Sequence, residues 1–538
     1  MPHPKYNMRL ILCSLFFCVH ARVVFAANSD GHRQESQDWL NHGGDIFNRR
    51  YAEKEYKISP ETASKLHLKW KFYAGNDISA TPTIYDGTLY FPSWNGNIYA
   101  VKEADGSLVW KQNLTKLTGL KGTGLVRNVN WTVSRSTPTV AGDLLITNLY
   151  GPAMVIAFKI KTGELVWNTT LDYHPSALIT MSGTYLNRGY YIGVSSLEEL
   201  ATIKECCTFR GSFVKLDVRS GGILWKTYML PDNNNKMGEY AGAAVWGSSP
   251  SIDVNRNHVY IGTGNLYSAP LHIRQCRERQ NNRTRPTEPD ECIEPENHSN
   301  SILALDLDSG KIKWYHQFGG YDIWFFACRY ASTPNCPPLG IVQDADFGEA
   351  PMMLTIYIKG TKKDIVVAVQ KSGYAWALDR DNGNVVWFTK AGPGGLAGGG
   401  SWGAATDKRR VYTNIVNSEA QNFTLAPSNK ITTGGGWVAM DATNGKVLWS
   451  TANPRNKTNG PVSVANDVIF AGSTDTLGFI YALDAKSGKI LWSYETGASL
   501  YGGVSISNGC IYVGHGYNVS LGVLLQYTRG DSLFAFCV

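Results

Sequence analysis

The sequence predicts an all-β fold, an eight-bladed β-propeller. Three observations predict it. A short motif that ends in tryptophan occurs seven times, strand-like runs of β-branched and aromatic residues alternate with Gly, Asn and Asp turns, and helical periodicity is nearly absent. With 538 residues and a hydrophobic content of 43%, the chain can bury a large repeated core.

The repeated motif places a tryptophan at the same point of each unit: Trp110, Trp167, Trp225, Trp314, Trp387, Trp449 and Trp492. Glycine lies four positions before each tryptophan, aspartate eight positions before five of the seven, and alanine ten positions before six. A sheet that is apolar on both faces must be covered by a neighbour on each side. We therefore expect each indole to wedge between adjacent blades, and Asp and Gly to shape a turn rather than to do chemistry.

One unit, residues 81–114, shows how a blade is built. "TPTI", "TLYFPS", "IYAV" and "LVWKQNL" predict four strands, and "YDG", "WNGN" and "EADGS" predict the turns between them. The Asn-Gly and Asp-Gly steps supply the positive φ angles that hairpin turns need. A four-stranded meander of about forty residues is the size of a propeller blade.

The two ends of the chain supply parts of one further unit. "LHLKWKFYAG" matches an outer strand with Trp70 at the tryptophan position, and "CIYVGHGY" and "SLFAFCV" match inner strands. We expect these segments to close an eighth blade, pinned by a Cys510–Cys537 disulfide. Residues 28–538 are therefore predicted to form a single propeller domain, with long loops that shape one mouth of its channel.

Residues 1–27 have the pattern of a secretory signal peptide, with Lys5 and Arg9 before the apolar run "LILCSLFFCV" and small residues in "VFAA". The run is too short to span a bilayer, and no later segment qualifies. We expect a secreted protein of an extracellular space such as a cell wall or apoplast, with no membrane span. The other eight cysteines fall into neighbouring pairs that favour disulfides, namely Cys206–Cys207, Cys276–Cys292, Cys328–Cys336 and Cys510–Cys537.

The surface chemistry fits an exported protein. Eight N-x-[ST] sequons predict a glycoprotein, with acceptors at Asn113, Asn130, Asn168, Asn282, Asn297, Asn422, Asn456 and Asn518. The net charge of +7 is modest and its positive residues are scattered, so the sequence carries no nucleic-acid footprint. It has no Cys-x-x-Cys-His haem attachment motif.

The repeats and three further segments resemble the quinoprotein alcohol dehydrogenases. Those segments are "DWLNHGGDIFNRRYAEKEYKISPETASKLHLKWKF", "SSLEE" and "CCTFRGS", which are most similar to the polyvinyl alcohol dehydrogenase-like branch. The resemblance covers nearly the whole chain after residue 27. It implies a propeller that carries pyrroloquinoline quinone (PQQ) and Ca²⁺, and that oxidises an alcohol, polymeric or sugar-like, by hydride transfer to PQQ. A separate electron acceptor would then be its partner.

The resemblance also assigns cofactor-binding residues outside the repeat. A quinone with three carboxylates needs cations and a flat floor. Arg135, in "TVSRSTP", matches the arginine that pairs with a quinone carboxylate, and Trp246, in "AVWGSSPSID", matches the tryptophan under the ring. Further cofactor contacts are predicted at Cys206, Cys207, Arg210, Lys371 and Trp402.

The metal and catalytic residues follow from the same resemblance. Asn265, in "GTGN", and Glu199, in "SSLEE", match calcium ligands, with Glu198 a rival one position away. Asp322, in "GYDIWFF", matches the catalytic base and a third ligand, and Lys371, in "AVQKSGYAWALD", matches the basic residue at the reactive quinone carbonyl. The implied mechanism has Ca²⁺ as Lewis acid, Lys371 at the developing oxyanion and Asp322 as proton acceptor.

The sequence departs from the family at several of these positions. Val129 and Asn130 stand where methanol-oxidising members have a vicinal cysteine pair just upstream of the arginine. Phe325 replaces an aspartate that often follows the Asp-x-Trp motif, and Ser401 replaces an amide. These changes bear on the catalytic assignment more than on the fold.

Two other functions compete with the dehydrogenase. A non-catalytic extracellular propeller would bind polysaccharide or protein, and "GGSWG" at 399–403 matches the Gly-x-Ser-x-Gly pattern of hydrolases without the strand and helix that should flank it. The enzyme hypothesis requires Glu199, Asn265, Asp322 and Lys371 to converge on one side of the channel. The binding hypothesis predicts that they scatter.

Overall fold

The propeller consists of eight radial sheets, seven with four strands and one with five. A computed structural model describes residues 38–122, 125–126, 129–279, 292, 294–318, 322–329, 336 and 344–538. Ser36–Val538 form one compact unit. The predicted signal peptide and the sequon at Asn282 lie outside the described residues.

The strands were numbered in chain order. They are β1 (His67–Tyr73), β2 (Thr83–Tyr85), β3 (Thr88–Ser93), β4 (Asn97–Lys102), β5 (Leu108–Asn113), β6 (Thr139–Ala141), β7 (Leu144–Asn148), β8 (Met154–Lys159), β9 (Leu165–Thr170), β10 (Ala177–Leu178), β11 (Thr184–Leu186), β12 (Gly189–Ser196), β13 (Ser212–Asp217), β14 (Ile223–Tyr228), β15 (Ala241–Gly242), β16 (Ser251–Asp253), β17 (His258–Gly262), β18 (Leu266–Ser268), β19 (Ser301–Asp306), β20 (Ile312–Gln317), β21 (Met352–Ile358), β22 (Thr361–Val369), β23 (Tyr374–Asp379), β24 (Val385–Lys390), β25 (Ala405–Thr406), β26 (Arg410–Ile415), β27 (Phe423–Thr424), β28 (Ile431–Thr432), β29 (Gly436–Asp441), β30 (Val447–Ala452), β31 (Ser463–Ala465), β32 (Val468–Gly472), β33 (Phe479–Asp484), β34 (Ile490–Glu495), β35 (Ser505–Ser507), β36 (Cys510–Gly514) and β37 (Ser532–Cys537).

Helices are few and short. The described residues contain three α-helices, α1 (Leu114–Thr118), α2 (Leu271–Arg279) and α3 (Leu521–Leu524), and three 3₁₀ turns at Ala63–Lys65, Glu198–Leu200 and Phe326–Arg329. Within this part of the chain, no helix has the length and apolarity needed to cross a bilayer. The predicted all-β class is confirmed.

Each blade is the antiparallel meander that the sequence predicts. Blade 1 has the order β2-β3-β4-β5, and blades 2 to 7 repeat this order with insertions. The residue ten positions before each tryptophan lies opposite it, as Ala482 does opposite Trp492, and a β-bulge follows that pair in all seven repeats; this residue is alanine in six repeats and Lys215 in the other. A small residue at this point leaves room for the neighbouring indole.

The eighth blade joins both ends of the chain. Its order is β1-β37-β36-β35, so the outermost strand comes from the N-terminal part and the inner three from the C-terminus. Cys510 and Cys537 are register partners in β36 and β37 and form a disulfide. The predicted closure is confirmed, and the structure also contains the other three predicted disulfides.

Seven seams between blades have the same tryptophan contact. The Nε1–H of Trp449 donates to the Ala485 carbonyl of the next blade at 3.0 Å, and its ring packs on Gly488, where a Cβ would lie 2.5 Å from the indole. Equivalent bonds come from Trp70, Trp110, Trp167, Trp225, Trp314 and Trp387. At the remaining seam, Trp492 packs edge-on against Phe536, with ring centroids 5.3 Å apart. The predicted indole wedge is therefore confirmed.

The aspartate of the motif organises a turn. In the last repeat, Asp484 Oδ1 accepts hydrogen bonds from the main-chain N–H groups of Lys486 and Ser487, at 3.1 and 2.7 Å. Gly488 completes the same turn with a φ of +71°, a conformation that favours glycine. The aspartate of the motif therefore has the structural role that the sequence predicts.

An N-terminal arm, residues 39–52, runs around the channel and contacts the innermost strands in blade order. Its main chain pairs with Ile84 in blade 1 and Val140 in blade 2, and later with Ile252, Met353, Thr406 and Val464 in blades 4 to 7. Arg50 is fully buried and donates to the carbonyls of Val462 and Val504 at 2.7 and 3.2 Å. The arm thus links successive blades to one another on the inner side of the ring.

Candidate active site

A cavity of about 310 Å³ lies within the ring, near the channel axis. Its charged lining consists of Arg135, Glu199, Asp344, Asp346 and Lys371. The aromatic lining consists of Tyr150, Trp246, Tyr267, Trp324, Phe326, Trp402 and Tyr501, and the leucines are Leu178, Leu197, Leu200, Leu396, Leu521, Leu524 and Leu525. A mostly apolar cavity with a few convergent polar groups is the usual form of a cofactor or substrate site.

Two tryptophans meet at right angles in the cavity wall. The rings of Trp246 and Trp402 have centroids 5.0 Å apart and an interplanar angle of 74°. The Nε1–H of Trp246 donates to Asp346 Oδ2 at 2.9 Å, which fixes the plane of the indole. The sequence predicted both residues as cofactor contacts, and both line the cavity.

Arg135 is enclosed by aromatic rings. Its guanidinium carbon lies 4.3 Å from the ring centroid of Trp402 and 5.2 Å from that of Tyr517, and Nη1 donates to the Tyr517 hydroxyl at 3.1 Å. In the described part of the chain, no carboxylate lies within ion-pair distance of it. A buried guanidinium normally pairs with an anion, so Arg135 can receive a carboxylate of a bound ligand.

Lys371 lies where two aspartates and a tryptophan meet. Its Nζ is 2.8 Å from Asp344 Oδ2, 3.6 Å from Asp346 Oδ2 and 4.9 Å from the centroid of the Trp246 ring. Although burial lowers the pKa of Lys371, the charges of the two aspartates raise it above its usual value. The lysine is therefore a fixed positive charge in a largely dry cavity.

Glu198 and Glu199, the two candidate metal ligands, have different contacts. The two carboxylate oxygens of Glu198 accept hydrogen bonds from the main-chain N–H groups of Thr208 and Phe209, at 2.7 and 2.8 Å, so this side chain holds a loop. Glu199 lines the cavity instead. Burial raises the pKa of Glu199 to about 7, and the charge of Asp346 raises it too, while Lys371 opposes the rise.

Asp322 and Asn265 lie behind the cavity wall. One oxygen of Asp322 accepts hydrogen bonds from Asn300 Nδ2 and Ala345 N at 2.7 and 2.8 Å, and the other is buried without a partner. Burial, together with the charge of Asp346, raises the pKa of Asp322 to about 7. Asn265 Nδ2 donates to the carbonyls of Leu266 and Trp324, which leaves its amide oxygen as the atom for a metal.

Three predicted cofactor contacts lie elsewhere. Cys206 and Cys207 form a buried disulfide, and neither belongs to the described residues that line the cavity. Arg210 pairs with Asp232 at 2.9 Å and lies over the ring of Tyr228 at 4.2 Å. These three residues are therefore absent from the described lining of the cavity, although Trp246 packs against the core cluster that contains both cysteines, and their contact with a cofactor stays a prediction.

Asp344 and Asp346 are two further site residues that were not predicted from the sequence. Both are buried, both line the cavity and both contact Lys371. Asp346 also accepts hydrogen bonds from Trp246 and from the main-chain N–H of Asn265. Their one sequence signal was a pair of acids two positions apart, outside the repeat and among apolar neighbours in "DADF".

These residues fit the quinone and metal of the resembled family. Arg135 and the indole N–H of Trp324, which is buried without a partner among the described residues, can receive anionic groups. Three carboxylates of the cavity lining, those of Glu199, Asp344 and Asp346, share one lysine there, and one buried oxygen of Asp322 has no hydrogen-bond partner among the described residues. No group of three or more His, Cys, Asp or Glu converges on one point among the described residues. A metal would therefore share the Glu199 carboxylate with amide and cofactor oxygens.

The hydrolase hypothesis finds no support at Ser401. Its hydroxyl donates to the side-chain oxygen of Asn459 at 3.0 Å, and an amide is not a general base. Of the four residues that separate the enzyme hypothesis from the binding hypothesis, Glu199 and Lys371 line the cavity, and Asp322 and Asn265 flank Asp346 behind it. All four are thus at the cavity or next to Asp346 in its wall.

Comparisons with known proteins agree with this arrangement. A family model described as "Outer membrane protein assembly factor BamB" matches residues 52–316 and 434–523. A polyvinylalcohol dehydrogenase from Pseudomonas sp. is 28% identical, over 93% of this chain and 77% of its own length. Another, from Sphingopyxis sp. strain 113P3, is 30% identical, over 88% and 72%.

Solved structures share the fold. The quinohemoprotein alcohol dehydrogenase of Comamonas testosteroni superposes with a TM-score of 0.69 at 18% identity, over 93% of this chain and 80% of that chain. A europium-containing methanol dehydrogenase also gives 0.69, at 16% identity, over 93% and 98%. The chain therefore belongs to the PQQ-dependent alcohol dehydrogenases, a family of oxidoreductases that use pyrroloquinoline quinone with a calcium or lanthanide ion.

Proposed function

We propose that this protein binds PQQ and Ca²⁺ in the 310 Å³ cavity and oxidises an alcohol at its opening. The observation that carries the proposal is the convergence of Arg135, Glu199, Trp246 and Lys371 on that cavity. When bound, PQQ supplies the hydride acceptor and Ca²⁺ the Lewis acid. In this proposal, Trp246 lies under the quinone ring and Arg135 pairs with a quinone carboxylate. Glu199 and Asn265 are the metal ligands.

Asp344 is the better-placed proton acceptor. The resemblance assigns the base to Asp322, but Asp322 does not belong to the described cavity lining and its main contacts are Asn300 and Ala345. Asp344 lines the cavity, 2.8 Å from Lys371. We therefore propose that Asp344 accepts the hydroxyl proton and that Asp322 holds the main chain between Asp344 and Asp346. Burial raises the pKa of Asp344 well above its usual value and Lys371 opposes that rise, so the deprotonated carboxylate would be a stronger base than an exposed aspartate.

The opening of the cavity favours an alcohol with an apolar chain. Leu521, Leu524 and Leu525 lie in and after α3, and Leu396 belongs to a separate loop. Leu524 is 57% exposed. At about 310 Å³, the cavity is at the lower end of the range for ligands of drug size, so a bound quinone would fill most of it. The substrate would then reach in with its hydroxyl end while its chain lies on the leucines, as suits polymeric or long alcohols.

We also propose that the protein is secreted and glycosylated. The signal-like N-terminus and the four disulfides support export. The sequons at Asn168, Asn422 and Asn456 are exposed, so they can carry glycans. The sequon at Asn297 is fully buried, and we do not expect a glycan there. Mass spectrometry of the secreted protein would show which of these asparagines are modified.

The test compares Asp344→Asn with Asp322→Asn in protein loaded with PQQ and Ca²⁺. Alcohol-dependent reduction of a dye is measured with short, long-chain, polymeric and sugar alcohols. We expect Asp344→Asn to lower kcat by roughly 10²- to 10⁴-fold with PQQ binding retained, and Asp322→Asn to have a smaller effect. If Asp322→Asn alone abolishes turnover, Asp322 is the base. If the wild-type protein turns over no alcohol, the dehydrogenase proposal fails.

A further inference from the structure

Trp402 has an unusual backbone conformation in the wall of the cavity. Its φ is +70°, a region that bulky residues rarely adopt and that costs free energy unless the surroundings enforce it. Its N–H donates to the Gly348 carbonyl at 3.0 Å. Its ring lies over Arg135 and edge-on to Trp246. The angle of this residue therefore sets the positions of the guanidinium and of the second indole.

His42, on the N-terminal arm, holds the carbonyl of Trp402. The distance from His42 Nε2 to that oxygen is 2.6 Å, and both residues are buried. A carbonyl oxygen can only accept, so Nε2 carries the hydrogen. Nδ1 then accepts from the hydroxyls of Thr81 or Thr137, which lie 3.5 and 3.4 Å away. Burial, together with the charge of Arg50, lowers the pKa of His42 well below its usual value, so the ring is neutral.

The next residue fits against the same part of the arm. A Cβ on Gly403 would lie 2.9 Å from Arg50 Cδ and 3.3 Å from His42 Nε2. Between His42, Arg135 and Trp402 lies a chamber of about 20 Å³, the size of one water molecule.

We propose that His42 is a positioning residue for the cofactor site, acting through its Nε2–H bond to the Trp402 carbonyl. The bond holds Trp402 at its strained φ, and Trp402 in turn holds Arg135 and Trp246 in place for an anionic aromatic ligand. The arm thereby contributes to ligand binding without touching the ligand. The proposal rests on PQQ as that ligand, but the His42–Trp402 contact can be tested without it.

The test compares two substitutions of similar size. His42→Gln retains an N–H donor, and His42→Met does not. The spectroscopic signature is the near-UV circular dichroism band that Trp402→Phe removes. The second measurement is the PQQ dissociation constant in Ca²⁺ buffer, from quenching of tryptophan fluorescence. We expect His42→Met to lose the band and to bind PQQ roughly 10- to 100-fold more weakly, the loss seen when a residue that hydrogen-bonds to a metal ligand is removed. We expect His42→Gln to keep both the band and the affinity near wild type.

Other results would overturn the proposal. If His42→Met keeps the band and the affinity, the bond does not position Trp402. If His42→Gln and His42→Met lose both equally, the imidazole has a packing role only. If the band is lost but the affinity is unchanged, Trp402 does not shape the ligand site. Failure of the wild-type protein to bind PQQ refutes the proposed function instead, and is recognised because the band remains.

A measurement on the wild-type protein covers the case in which His42→Met does not fold. Nitrogen-15 NMR of histidine-labelled protein, with the His42 signals assigned from their loss in His42→Gln, gives the tautomer directly. We expect a neutral ring with hydrogen on Nε2 at pH 6 and above. A charged ring, or hydrogen on Nδ1, would contradict the donated bond and the proposal with it.

Discussion

The ammonium group of Lys371 lies 2.8 Å from Oδ2 of Asp344, and both side chains are buried in the wall of the same cavity. Burial raises the pKa of Asp344, as does the charge of Asp346, while Lys371 opposes the rise. A buried pair of this kind is costly to break, since one partner alone is left as an unpaired charge. The pair therefore fixes a base beside a cation where both can meet an alcohol.

Lys371→Met removes the cation while it nearly preserves the volume of the side chain. We expect kcat for alcohol oxidation to fall by roughly 10²- to 10³-fold, since a fixed charge at a developing oxyanion is lost. Dye-linked kinetics would measure the loss, and far-UV circular dichroism would show that the fold persists. Lys363→Met is the matched control, because Lys363 is partly exposed and pairs with Asp379, which lies on the neighbouring strand of the same blade. Equal loss in both variants would contradict the role of Lys371.

Removal of the metal should weaken the binding of PQQ. Glu199 lines the cavity and is the proposed carboxylate ligand of the metal. Glu199→Gln should therefore raise the Ca²⁺ concentration for half-maximal PQQ binding by at least about tenfold. Chelator treatment of the wild-type protein should weaken PQQ binding, and added Ca²⁺ should restore it. Glu198→Gln is an informative comparison, because it should destabilise the loop at Thr208 more than it alters the Ca²⁺ requirement. PQQ binding that chelators leave unchanged would exclude a metal.

The seams between blades can be tested with one pair of substitutions. Trp449→Phe loses the indole N–H bond to Ala485 O, and leaves that buried carbonyl without this donor. We expect a loss of about 1–3 kcal/mol in the free energy of unfolding. Trp492→Phe is the control, since Trp492 contacts the next blade through the ring of Phe536. Urea unfolding would compare the two, and a larger effect of Trp492→Phe would contradict the account of the seams.

Asp77 should make stability depend on pH. It is fully buried, and its oxygens accept hydrogen bonds from Gly530 N and Asn518 N, at 2.6 and 2.8 Å. Burial raises the pKa of Asp77 from 3.8 to about 6. The folded state therefore binds the proton more tightly than the unfolded state. This contribution to stability is fully present below about pH 4 and is lost as the pH rises to about 6, by about 3 kcal/mol in total.

Asp77→Asn is neutral at every pH and tests this dependence. The difference in free energy of unfolding between wild type and variant should fall by about 3 kcal/mol from pH 4 to pH 7, on top of a constant loss of one acceptor. Chemical unfolding at a series of pH values measures it. Two parallel stability curves would show that Asp77 does not titrate in this range.

The fold was predictable because it repeats. The tryptophan, glycine and alanine of the motif recur at fixed spacing. In each blade the tryptophan marks the contact with the next blade, the glycine marks a turn and the alanine position marks a β-bulge. Closure of the ring followed from Trp70 and from the final strands. The path of the N-terminal arm was not predictable, since residues 39–52 contact six blades through main-chain bonds that no sequence pattern encodes.

The site was predictable only in part. Trp246 and Lys371 stood out as non-repeat residues that match a family pattern, and both line the cavity. Asp344 and Asp346 did not, because their role depends on distances to Lys371 that only the folded ring sets. Arg210 and the vicinal cysteines were assigned from neighbouring sequence; Arg210 pairs with Asp232, the cysteines lie in the core, and their contact with a cofactor stays a prediction.

Titration of the Ca²⁺-loaded wild-type protein with PQQ, followed by quenching of tryptophan fluorescence, tests the central claim most directly. The cavity contains Trp246 and Trp402, so a ring stacked on Trp246 and close to Trp402 should quench strongly and saturate at one PQQ per chain. Trp246→Ala should bind far more weakly. A wild-type protein that shows no saturable quenching, or a Trp246→Ala variant that binds PQQ equally well, would contradict the claim that this cavity holds the quinone.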